Sequence, residues 1–170
     1  MAAGDHKIAY GSSSNLTITL QNLATDASLL TGRESSLVDN TSNLYIDYLL
    51  SGFISVGTTP TASTYIEVWV HGTLDDSYTL VDGLAGSDGA KTLTNIMTKV
   101  GGLKLAAVLT VPATTSNVKY PIAPVSVAAL FGGKVPKKFG VFVTHSTAVN
   151  LRNTTDHQIT VTPVFATIAT

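Results

Sequence analysis

From Tyr65 to His71 the chain alternates strictly. Ile66, Val68 and Val70 fall on one face of an extended segment, and Tyr65, Glu67, Trp69 and His71 fall on the other. Leu44–Val56 ahead of it is also rich in apolar and aromatic residues, and Gly57-Thr-Thr-Pro-Thr-Ala-Ser-Thr64 joins the two. This arrangement predicts two antiparallel strands and a turn. The second face of Tyr65–His71 carries two large aromatics, so it predicts contact with something beyond the core: a loop of the same chain or a neighbouring subunit.

Period-2 patterning recurs at Asn15–Gln21, Gly102–Val111, Val118–Ile122, Phe139–His145, Ala148–Arg152 and Gln158–Ala169. Pro121 and Pro124 place the segment that bears them at an edge or a strand end, and Pro163 gives the last strand a free or bulged edge. Tyr78–Val81 reads as a further short extended piece. The period changes at Leu93, Ile96, Met97 and Val100, spaced i, i+3, i+4, i+7 ahead of Gly101-Gly102. That is a short amphipathic helix with a glycine stop, or a poorly alternating strand, since Thr92, Thr94 and Thr98 disfavour helix. Val125–Phe131 before Gly132-Gly133 fits one or two helical turns. The expected fold is all-β: an antiparallel sandwich or jelly roll of about eight strands with one or two short helical turns. Residues 15–170 form its single domain. Residues 1–14 precede it as an extended N-terminal arm, either frayed or docked on a neighbour through Ile8 and Tyr10. Leu23–Asn43 is a long connection, read as functional surface or a packed loop. Its adjacent Arg33 and Glu34 are a solvated tip or a charge for a partner.

Composition changes this picture in one respect. Only 12% of the 170 residues are charged, against roughly 25% in ordinary domains, while 44% are hydrophobic and mean hydropathy is +0.29. A surface so poor in charge predicts burial in a homo-oligomer or larger assembly. Net charge is −1, which supplies no basic footprint for nucleic acid. The absence of cysteine excludes disulfides and thiolate chemistry. No apolar run reaches the roughly 20 residues of a membrane helix, and the N-terminus lacks a signal-peptide layout, so the expected setting is the cytoplasm.

Candidate chemistry is sparse. His6, His71, His145 and His157 stand at no metal-ligand spacing. Ser146 beside His145 lacks a nucleophile elbow. The two glutamates, Glu34 and Glu67, make no obvious glycosidase pair, and Asp75, Asp76, Asp82 and Asp88 lack EF-hand spacing. The reading is non-enzymatic, with no cofactor and no metal. Lys134, Lys137 and Lys138 are a solvated cluster or a patch for an acidic protein surface.

Three segments carry a likeness: Gly32-Arg-Glu-Ser-Ser-Leu-Val-Asp-Asn-Thr-Ser-Asn-Leu-Tyr-Ile-Asp47, Ser51-Gly-Phe-Ile-Ser-Val-Gly-Thr-Thr-Pro-Thr61 and Val127-Ala-Ala-Leu-Phe-Gly-Gly-Lys-Val-Pro136. The chain resembles structural proteins of tailed-bacteriophage virions, among them the jelly-roll decoration (cement) proteins of the capsid. The resemblance implies a non-enzymatic protein that homo-oligomerises and binds the major capsid protein or other virion proteins, in a particle assembled in the host cytoplasm. Interface candidates are then Ile8, Tyr10, Arg33, Glu34, Tyr65, Trp69, Lys137 and Lys138. The alternatives are a carbohydrate- or receptor-binding module using Tyr65 and Trp69, or a tail adaptor.

Overall fold

The computed structural model describes residues 4–76 and 81–168. It is a sandwich of two antiparallel sheets. The first has the strand order β1 (His6–Tyr10), β11 (Gln158–Ile168), β5 (Asp47–Ser55), β9 (Lys119–Ser126), with β2 (Ser14–Asn15) also on β11. The second runs β7 (Gly89–Thr92), β3 (Thr31–Glu34), β10 (Lys138–His145), β6 (Thr64–Thr73), β8 (Lys104–Val111), with β4 (Val38–Asp39) also on β10. Two short helices, α1 (Ile96–Gly102) and α2 (Val127–Leu130), complete it. The strands outnumber the eight expected because β1, β3, β4 and β7 are too short or too polar to show a period.

The core forms where the inward faces meet. Ile66, Val68 and Val70 of β6 and Val141 and Val143 of β10 face Leu50 and Ile54 of β5 and Ile159 and Val161 of β11, and all are buried. The two strands around Gly57–Thr64 are therefore not hairpin partners. β5 and β6 lie in opposite sheets, and their link crosses the sandwich. Alternation marks an inward face but not the sheet that supplies it.

Four further expectations shift. Only the start of Asn15–Gln21 is strand. Leu16 N–H still reaches Ile159 O at 2.8 Å, but Thr19 then leaves the sheet to bond Asp88 through both its N–H and its hydroxyl. Leu23–Asn43 is not a plain loop, because β3 and β4 lie within it. Ala148–Arg152 supplies a single bridge, Val56 to Leu151. The segment taken as an N-terminal arm is extended but not frayed, since His6–Tyr10 pair with Ile168–Val164. The extended piece placed at Tyr78–Val81 lies outside the described residues except for Val81, which opens a 3-10 turn.

Proline and glycine positions explain two breaks in the first sheet. Pro163 sits in β11 between two neighbours, and its carbonyl accepts from Gly11 N–H at 2.8 Å. Its missing N–H falls at the gap between β1 and β2, where no ladder bond is lost. Gly52 marks the register shift of β5 against β9. Its φ of 145° and a Cβ position only 1.9 Å from Gln158 O exclude any side chain there. β9, with Pro121 and Pro124, is an edge strand, as those residues require.

Candidate functional site

The outer face of the second sheet gathers several buried polar groups, among them Glu34, His71 and Lys99. On β6, Glu67, Trp69 and His71 point away from the core, toward the connection that carries Leu84, Leu93, α1 and Leu103. Trp69 is 7% exposed and packs with Leu84, Leu93, Leu103 and Phe142. Its Nε1–H donates to Glu67 Oε2 at 2.8 Å. Lys99 of α1 closes the group: its Nζ donates to Glu67 Oε2 at 2.5 Å and Leu29 O at 2.6 Å, and stands 4.9 Å from the Trp69 ring centre. The face with two aromatics is thus largely covered by the chain's own connection, and the Trp69 ring offers no open surface for a sugar to stack on.

Lys99 also reverses the expected orientation of α1. The helix begins at Ile96, capped by the Asn95 side chain accepting from Thr98 N–H. Lys99 is 1% exposed while Ile96, Met97 and Val100 are 51%, 74% and 49% exposed. Of the apolar stripe that predicted the helix, Leu93 precedes α1 and is buried, while the three members on α1 form the face it shows to the outside. A lysine stem can lie against apolar surface while its ammonium finds three partners, and that combination takes the inward position.

The adjacent charges of β3 are used internally. Arg33 Nε donates to Asp88 Oδ1 at 2.6 Å. Glu34 is fully buried and accepts from Ala85 N–H at 2.9 Å and Gly86 N–H at 2.5 Å. His71 Nε2 lies 3.7 Å from Glu34 Oε1, and burial lowers the histidine's pKa to about 3. As interface candidates Glu34 and Trp69 are therefore corrected: each is sequestered by the same connection. The sequence pattern gave no sign of this, because the partners lie some fifty and thirty residues further along.

The remaining candidates face outward. Ile8 and Tyr10 of β1 are 59% and 65% exposed. They sit opposite Ala166 and Val164 in register, so they share one outer face, with Ile168 at its end. Tyr65 is exposed, as are Leu105 and Val108 of the edge strand β8 beside it. Lys137 pairs with Asp76 at 3.0 Å and Lys138 lies 3.9 Å from Asp39. A cleft of about 260 Å³ is lined by Gly72, Thr73, Leu74, Phe131, Lys134 and Pro136.

Among the described residues no group of three or more His, Asp or Glu side chains is placed to hold a metal ion, and no helix is long and apolar enough to cross a membrane. Comparison with models of known protein families, with curated proteins and with solved structures found no match.

Proposed function

We propose that the chain is a non-enzymatic structural protein of a tailed-phage particle, a decoration or cement protein that stabilises the capsid through protein–protein contacts. The observation that carries this reading is the distribution of apolar and charged groups. Thirteen large apolar side chains are exposed among the described residues, including Ile8, Tyr10, Tyr65, Met97 and Leu105. Of the 21 charged residues, five are meanwhile used within the chain, in the pairs Arg33–Asp88 and Lys99–Glu67 and the buried Glu34. Such a surface fits one covered by neighbours, whether copies of the chain or the major capsid protein. The segments that resemble phage virion proteins point the same way. Each contact of a few hundred Å² contributes modestly, at roughly 25 cal/mol per Å² before ordering costs, and symmetric repetition multiplies it.

The test is co-sedimentation of the purified chain with phage shells, with light scattering for its own oligomeric state. Ile8→Lys/Tyr10→Lys should keep the far-ultraviolet spectrum and the melting temperature but lower shell occupancy. A monomeric wild type that binds no shell overturns the reading. A tail adaptor would use the same surfaces, and immuno-electron microscopy of particles distinguishes the two.

A further inference from the structure

Four inter-strand connections meet at one end of the sandwich and enclose a cleft of about 390 Å³. Backbone bonds lace them together: Leu151 N–H to Leu23 O at 3.0 Å, Asn117 N–H to Gly57 O at 3.1 Å and Arg152 N–H to Ser55 O at 3.2 Å. Thr59 N–H donates to Ser116 Oγ at 2.8 Å. The cleft is thus held open by fixed backbone, and its volume lies in the range of roughly 300–1,000 Å³ typical of small-ligand sites.

Its lining is chemically narrow. Asn22, Asn117, Asn150 and Asn153 line it together with Thr58 and Arg152. All four asparagines are exposed. An amide both donates and accepts, which matches a hydroxyl group; carboxylates need donors alone. Among the described residues, Arg152 is the one charged residue of the lining. Its Nη1 donates to Asp156 Oδ2 at 2.5 Å, and Lys119 Nζ donates to the other oxygen of Asp156 at 3.0 Å. Two cations on one carboxylate leave one net positive charge, and the rest of the Arg152 fork is available for a planar anion. Among the described residues the lining holds no aromatic ring, and its apolar members are Val149 and Leu151, so orientation there runs through hydrogen bonds and charge.

We infer that this cleft binds an acidic saccharide, its carboxylate on Arg152 and its hydroxyls on the surrounding asparagine amides. The site is separate from the apolar surfaces assigned to particle contacts, so either assignment can fail alone. The test is a titration of the full chain, followed by ¹H–¹⁵N spectra, with glucuronate, glucose and acetate as probes. Glucuronate should shift Asn22, Gly57, Asn117 and Arg152 saturably, at least about tenfold more tightly than either other probe. Arg152→Gln should weaken glucuronate about tenfold. Asn150→Ala, which leaves the Asp156 ion pairs intact, should weaken it about threefold with an unchanged melting temperature. The inference is overturned if glucuronate gives no saturable shift, if acetate or glucose binds as tightly, or if both variants bind like the wild type.

Discussion

Lys99 and His71 show how far a single position can depart from its local pattern. Lys99 is buried against Glu67 and Trp69. Removing one partner of such a pair typically costs about 3–5 kcal/mol, because the other charge stays buried and unanswered, whereas replacing both with apolar groups is often near neutral. Lys99→Met should therefore lower unfolding stability by about that amount in urea, and Lys99→Met/Glu67→Leu should recover part of it. A single variant as stable as the wild type would remove the ion pair from the account. His71 gives a pH dependence whose sign follows from burial. Its folded pKa, near 3, is below the unfolded value of 6.5. The unfolded chain thus binds more protons between those values, and the contribution is complete above pH 6.5 and lost as pH falls toward 3. His145 and His157 are lowered in the same direction, first by burial. Stability should fall by up to about 1.4 kcal/mol per pH unit for His71 between pH 6 and 4. Urea titrations of His71→Phe should show a shallower slope than the wild type, and an identical slope would assign the effect elsewhere.

At the scale of elements, the edges and the breaks in register carry the consequences. β1 pairs over five residues with β11, and Ser13 Oγ lies 2.7 Å from Thr162 Oγ1 just beyond it. Deleting Met1–Ser14 therefore strips an edge strand from the sheet. It should lower the melting temperature by several degrees as well as affect any association. A deletion with an unchanged melting temperature would show that β1 adds nothing to the fold. Point variants at Ile8 and Tyr10, whose side chains already face outward, separate the two effects. In β5, Gly52→Ala meets both a backbone angle reserved for glycine and the Gln158 carbonyl. It should cost about 3 kcal/mol or more, read as a shift of the urea midpoint. A midpoint within experimental error of the wild type would contradict the strained geometry.

Across the whole molecule, the strand period and the breakers already specified an antiparallel sandwich. Alternation was enough to find the inward residues of β6 and to separate the two faces of β11, because a strand buried on one face must repeat every second residue; in β8 a register shift against β6 turns Leu105 outward and breaks the pattern. Proline marked the β9 edge because it cannot donate to a ladder. Three features belonged to the tertiary structure alone. The sheet membership of β5 and β6 depends on which core face closes over which, and both choices leave the same local pattern. The inverted helix α1 depends on Glu67, Trp69 and Leu29 converging on one ammonium, at separations that no sequence window spans. The burial of Trp69 and Glu34, and the end cleft around Arg152, depend on connections folding back over sheets or meeting at their ends. The sequence by itself therefore determined which residues share a face within a regular strand, since that is a property of local geometry. Only the tertiary structure decided which charges are answered inside and which apolar groups remain outside, because long-range contacts set the balance between desolvation and pairing.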